Sequence, residues 1–144
     1  MKLPAEVARE IAQAHTIAVV GLSNNPIRPS HGVARYLQQQ GYRIVPVNPN
    51  ESQVLGETSY PDLDQARAAV GPIEIVDVFR RSKHVPEIAA AAARIGARML
   101  WLQEGVSHRQ AETEARAAGL LVVADHCLLK EHARIGAARQ EAQS

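Results

Sequence analysis

The chain has a single cysteine, Cys127, so no intramolecular disulfide can form and the composition suits a reducing compartment. Aromatic residues make up only 3% of its 144 residues, too few for the stacking platforms that hold single-stranded nucleic acid. No apolar run approaches the ~18 residues of a membrane-spanning helix, and residues 1–14 carry acidic groups without the hydrophobic stretch of a secretory signal. Charge of one sign is missing as well: 16 lysines and arginines against 15 aspartates and glutamates leave +1, so any anion must be met locally. These absences point to a cytoplasmic protein with neither nucleic acid nor membrane as a partner. The length fits one domain over 1–144 with one site.

What is present is a repeated alternation. Residues 4–14 begin at Pro4 and place Val7, Ala8, Ile11 and Ala14 at helical spacing, which predicts an amphipathic entry helix. Residues 16–20 are short and β-rich, as befits a strand covered on both faces. Ser30 reads as the N-cap of a helix whose stripe is Val33, Ala34 and Leu37, and a second strand follows at 42–47. Gly41, Gly96 and Gly119 each stand between a helical stripe and an apolar run, where a left-handed cap is needed. Further strands are expected at 73–78, 98–102 and 120–123, with helices near 62–69, 83–95, 107–118 and 125–135. Residues 51–59 are irregular apart from a turn at Leu55-Gly56, and a tail over 136–144 is expected to fray. The pattern predicts an α/β fold: a Rossmann-like doubly wound parallel sheet of five strands in the order 3-2-1-4-5, with helices on both faces.

In such a sheet ligands sit above the carboxyl ends of the strands where the chain order reverses, here expected between the first strand and that at 98–102. Residues just past the strands are therefore the candidates. Gly21-Leu22-Ser23 opens a strand–loop–helix turn that aims N–H groups and a helix N-terminus at an anion, although the G-x-G-x-x-G spacing is absent. Arg28, stiffened by Pro26 and Pro29, is placed to hold a phosphate. Where an NAD site has an acidic residue for the ribose diol, this chain has Asn48-Pro49. That tilts the choice towards a ribose bearing its own phosphate, as in coenzyme A or NADP, with Glu51 an awkward neighbour. Phe79-Arg80-Arg81-Ser82-Lys83 gathers three cations at the crevice edge, while Asp77 in an apolar run reads as structural. Gln103-Glu104-Gly105 offers amides and a carboxylate to an amide-bearing arm, and Cys127 reads as an inert thiol. The six histidines lack metal spacing, and no serine, histidine and carboxylate arrangement stands out, so no catalytic or metal residue is assigned.

Five motifs, VVGLSNNPIRPSHGVARYL, GYRIVPVNP, VDVFRR, WLQEGV and ADHCLLKEH, together resemble the small stand-alone CoA-binding proteins of the succinyl-CoA synthetase-type CoA-binding domain family, over about residues 16–132. The resemblance implies a Rossmann-like fold that binds coenzyme A or a short acyl-CoA. It puts Gly21, Ser23 and the loop through Ser30 at the phosphates, Asn48 and Pro49 beside the adenosine, and Val78, Phe79 and Arg80 along the nucleotide. Gln103, Glu104 and Gly105 would border the pantetheine. Two departures stand out. Asn50-Glu51 stands where larger relatives often carry a basic residue for the ribose phosphate, which shifts that contact to Arg28, and Asp125-His126-Cys127 replaces the typical Asp-Arg-Cys. The synthetases' second domain, with its phosphorylated histidine, has no counterpart in this sequence. The expectation is a binding module without a catalytic domain, with an NADP-dependent oxidoreductase and a partner-binding subunit as alternatives. A protein partner or homo-oligomer is left open.

Overall fold

The computed structural model describes residues 3–143, with side chains through residue 136. Helix α1 (Ala5–Gln13) leads into β1 (Thr16–Val20), α2 (Pro29–Gln39) and β2 (Arg43–Val47). A small antiparallel hairpin, β3 (Gln53–Val54) and β4 (Glu57–Thr58), precedes α3 (Leu63–Val70) and β5 (Ile75–Val78). A 3₁₀ turn at Ser82–His84 then opens α4 (Val85–Arg94), followed by β6 (Met99–Leu102), α5 (Arg109–Ala117), β7 (Leu121–Val123) and α6 (Leu128–Gln143).

The sheet is built outwards from β1, whose five residues are all buried and which pairs in parallel with β2 on one side and β5 on the other. Its alternate side chains serve two cores. Ala18 and Val20 join Val76, Val78 and Leu100 beneath α3, α4 and α5, through Leu63, Ile88, Ala92 and Ala111. Ile17 and Val19 join Ile75, Met99 and Trp101 beneath α1, α2 and α6, through Val7, Ile11, Leu37 and Leu128. Apolar residues on both faces of the strand follow from this, since neither face meets water and each fully buried aliphatic side chain contributes roughly 1.5–3 kcal/mol.

The Rossmann-like class, the five parallel strands and the helices on both faces agree with the sequence. The strand order differs. The main sheet runs β2-β1-β5-β6-β7, which counts as 2-1-3-4-5 once the hairpin is set aside, in place of 3-2-1-4-5. The outer edge of β2 is already occupied: Tyr60 N–H donates to Pro46 O at 3.0 Å, and Asn48 N–H donates to Tyr60 O at 2.9 Å. The hairpin packs there too, its β4 beside β2 and its two-residue turn formed by Leu55 and Gly56 at φ 53° and 78°. β5 is buried along its whole length and needs a neighbour on each side, which it finds in β1 and β6. The chain order therefore reverses between β1 and β5.

Two helix starts also differ. Arg28, not Ser30, occupies the N-cap of α2, because Pro29 takes the first helical position, where a missing N–H costs nothing. Helix α6 begins at Leu128, after Asp125 adopts a positive φ of 58°. Its backbone continues to Gln143 on good helix formers, past the end of the apolar period. The side chains of the tail beyond residue 136 lie outside the described residues.

His132 pins α6 to α2. Tyr36 Oη and His132 Nδ1 are 2.8 Å apart, and the rings of Tyr36 and Tyr42 meet the imidazole edge-on with centroids 5.4 and 5.6 Å away. Burial disfavours the imidazolium and holds the His132 pKa below its usual 6.5. The folded chain binds this proton less readily than the unfolded chain, so the contribution to stability is present above pH 6.5 and lost as the pH falls. Denaturant unfolding at pH 7.5 and pH 5 should show a smaller acid loss for His132→Gln than for the wild type. Equal losses would assign the acid sensitivity to other groups.

Candidate functional site

Above the carboxyl ends of β1 and β5, where the chain order reverses, lies a cleft of about 770 Å³. Gly21 lines it. Its φ is +88°, its N–H donates to Val47 O at 2.8 Å, and a Cβ there would stand 2.5 Å from Phe79 O and 3.1 Å from Arg80 Cδ. Only glycine lets the first loop pass so close to the end of β5.

The first loop is held by its own hydrogen bonds. Ser30 Oγ accepts from Ser23 N–H (3.1 Å), Ser23 Oγ from Asn25 N–H (3.0 Å), and Asn25 Oδ1 from Ile27 N–H (3.0 Å). A Glu51 carboxylate oxygen accepts from Asn24 N–H, so the acidic neighbour serves the loop's shape. Asn48 clamps the loop from the side, with Nδ2 donating to Leu22 O (3.0 Å) and Oδ1 accepting from Asn50 N–H (2.9 Å). Most of the backbone donors that the sequence offers to an anion therefore already have acceptors within the chain.

Cations fill that role. Arg28, Arg80 and Arg81 line the cleft, and none has an ion pair or side-chain hydrogen bond among the described residues. Of the two carboxylates on the same walls, Glu51 is engaged by Asn24 and Glu104 pairs with Lys130 at 3.2 Å. Three guanidinium groups without an internal counter-charge, beside the N-terminus of α2, make this cleft a surface for anions.

The opposite wall comes from the loops after β6 and β7. Gln103 is only 4% exposed; its Nε2 donates to Asp77 Oδ1 at 2.6 Å. Asp77 lies fully buried in β5 between Val19 and Trp101, and its Oδ2 has no partner among the described residues. Burial raises its pKa from 3.8 to about 7, against the lowering effect of the Gln103 bond. Asp125 Oδ1 accepts from Gly105 N–H at 2.7 Å, and His126 O accepts from Trp101 Nε1 at 2.8 Å. Ser82 Oγ accepts from Ser107 N–H at 3.0 Å and ties the loop after β5 to the loop after β6.

Gly21, Ser23, Arg28, Ser30, Asn48, Phe79, Arg80, Gln103, Glu104 and Gly105 all line the cleft. Two expected residues fall elsewhere. Val78 is fully buried in the core on the α3–α5 face, and Pro49 lines a neighbouring cavity of about 300 Å³ that shares Arg80 with the cleft. Pro29, Val33, Asn50, Glu51, Arg81, Val106 and Cys127 complete the lining. Val33 reads in the sequence as a helix stripe, and Val106 is marked only by following Gly105. Asp125 is marked in the sequence by its place past the last strand, but its clamp on Gly105 is not, since that needs a positive φ and a partner 20 residues away. Among the described residues no cluster of histidine, cysteine or carboxylates could hold a metal ion, and no helix is long and apolar enough to cross a membrane.

Comparison with known proteins places residues 15–133 in the CoA binding domain. The protein YneT of Bacillus subtilis (strain 168) is 37% identical over 129 residues, which span 90% of this chain and 93% of that protein. A hypothetical protein from Pyrococcus horikoshii OT3 superposes with a TM-score of 0.85 at 38% identity over 92% of both chains. A Thermus thermophilus structure, cell-free ID.343, does so with a TM-score of 0.82 at 37% identity, over 90% of this chain and 96% of its own.

Gly21→Ala should lower the unfolding free energy by more than ~2 kcal/mol in denaturant titrations, since the new methyl must displace the Phe79 backbone at an unfavourable φ. A loss below ~0.5 kcal/mol would show that the two loops part easily. Asp77→Asn should do the reverse. A carboxyl whose pKa rises on folding destabilises the native state once the pH passes 3.8, and fully so above about 7. The variant should be more stable at pH 8 by on the order of 4 kcal/mol, with the gain fading towards pH 4. A variant less stable at pH 8 would contradict this account of the buried carboxyl.

Proposed function

Because the chain belongs to the CoA binding domain family, we propose that it binds coenzyme A or a short acyl-CoA in the cleft between β1 and β5, without turnover of its own. The observation that carries this reading is the group of three arginines without an internal counter-charge at the point where the chain order reverses. Coenzyme A brings a pyrophosphate and a ribose 3′-phosphate to such a surface, and each charge-assisted hydrogen bond is worth ~1.5–3 kcal/mol.

The placement of side chains supports one orientation. Arg80 packs against Gly21 and lines both the cleft and the cavity beside Pro49, so it stands between a pyrophosphate in the former and an adenosine in the latter. Arg28, at the N-cap of α2, takes the 3′-phosphate. Asn48 keeps the second strand's end free of negative charge, with its amide committed to the first loop. The pantetheine arm follows the wall of Gln103, Glu104 and Gly105 towards Cys127. The same reading places the protein in the cytoplasm, where a free thiol such as Cys127 stays reduced.

Calorimetry or thermal shift with coenzyme A, its form lacking the 3′-phosphate, and NADPH tests the reading, because a ligand that binds only the native state raises the melting temperature. Coenzyme A should give the largest shift. Arg28→Ala should weaken coenzyme A about tenfold, ~1.4 kcal/mol, and leave the form without the 3′-phosphate nearly unchanged. Preference for NADPH, or no shift with any of the three, would overturn the assignment. Equal losses for both CoA forms would move the 3′-phosphate away from Arg28.

A further inference from the structure

Asp77 costs the fold stability that an apolar residue in its place would not. It sits in the middle strand of the sheet with no exposed surface and, among the described residues, no counter-ion and no partner for Oδ2. What explains it is the other oxygen. Oδ1 accepts from Gln103 Nε2 at 2.6 Å, so a carboxamide that could face either way is held with its nitrogen down. Gln103 is itself 4% exposed but lines the cleft, and its Oε1 has no partner among the described residues.

We propose that Asp77 is a positioning residue that turns the Gln103 carboxamide oxygen into the cleft as the acceptor for a ligand amide N–H, and that protonation of Asp77 releases this orientation. The proposal rests on the CoA reading and deepens it. The pantetheine arm carries secondary amides and the nucleotide half carries none, so Gln103 senses the arm.

An ionised Asp77 can only accept, which fixes Nε2 against it. A protonated Asp77 can donate to Oε1, and the reversed amide then shows its NH₂ group to the cleft, a donor where the ligand N–H needs an acceptor. The raised pKa of about 7 puts this change near neutrality. The environment offers few competing charges. In the sheet Asp77 is flanked by Val19 and Trp101, and the helices on its face contribute apolar residues such as Ile11, Leu37 and Leu128. The titratable groups on or bordering that face include Cys127, Tyr42, the Tyr36–His132 pair between α2 and α6, His126, whose carbonyl accepts from Trp101 Nε1, and Glu10 of α1, which pairs with Arg98. Arg28, Arg80, Arg81, Glu51 and Glu104 stand around the cleft.

Two measurements on the intact chain test this. In ligand-free protein, the side-chain amide resonances of Gln103 in ¹⁵N NMR should titrate between pH 5.5 and 8 in the wild type and stay flat in Asp77→Asn. Under reducing conditions, the ratio of affinity for coenzyme A to that for adenosine 3′,5′-bisphosphate, which lacks the arm, should rise about tenfold over the same range in the wild type. The same ratio in Asp77→Asn reports the titration of the phosphates alone, and the difference between the two proteins should be about tenfold. Resonances that titrate alike in both proteins, or in neither, would overturn the role of Asp77. A ratio that changes equally in both would remove Gln103 from arm recognition. If the resonance titrates only in the wild type while coenzyme A binds at no pH, the positioning stands and the ligand assignment falls.

Discussion

The passage of Gly21 within van der Waals reach of the Phe79 carbonyl is the constraint on which the cleft depends. It brings the loop after β1 and the arginine-bearing loop after β5 to one place, and it requires β1 and β5 to be neighbours. That adjacency rests in turn on the far side of the sheet. Tyr60 and the small hairpin occupy the edge of β2, so the chain returns across β1 to add its next strand. A side chain at residue 21 would meet backbone that neighbouring pairing holds in place, since Phe79 N–H donates to Val20 O at 2.8 Å.

Satisfied and unsatisfied polar groups are divided sharply around this cleft. The first loop spends Ser23, Asn25, Ser30, Asn48 and Glu51 on its own backbone, which makes it a rigid support. Among the described residues the cleft's Arg28, Arg80 and Arg81 are left without counter-charge, and Asp77 Oδ2 is buried without a partner. A chain selected for stability alone would pair the first and replace the second with an apolar group. Local rules are broken where function weighs against stability, and here the arginines line the opening while the buried carboxylate is linked to it through Gln103.

The fold class was legible because it rests on short-range chemistry. Apolar runs of four or five residues, glycines at helix ends and helical stripes such as Val33, Ala34 and Leu37 place strands and helices without reference to distant partners. The candidate residues were legible for a related reason: in a parallel sheet the residues just past each strand collect at one end, so Gly21, Asn48, Phe79 and Gln103 could be read from strand ends alone. Val78 and Pro49 show the limit of that logic. The last residue of a strand still faces one core or the other by alternation, and the residue after Asn48 turns to the neighbouring cavity.

By itself the sequence determined the alternation of strands and helices, the polarity of each turn, and a set of cations and amides bound for one end of a sheet. Tertiary structure decided which strands are neighbours, because edge pairing through Tyr60 joins residues whose order carries no register signal. It also decided which polar groups are already spent. Asn48 and Glu51 read as ligand-facing or adverse in sequence, and only their partners at Leu22 and Asn24 make them part of the scaffold. Asp77 read as structural because it lies in an apolar run; its hydrogen bond to Gln103, 26 residues on, gives it a second meaning. Hydrogen-bond partners across such separations are chosen by packing, and a linear pattern does not contain them.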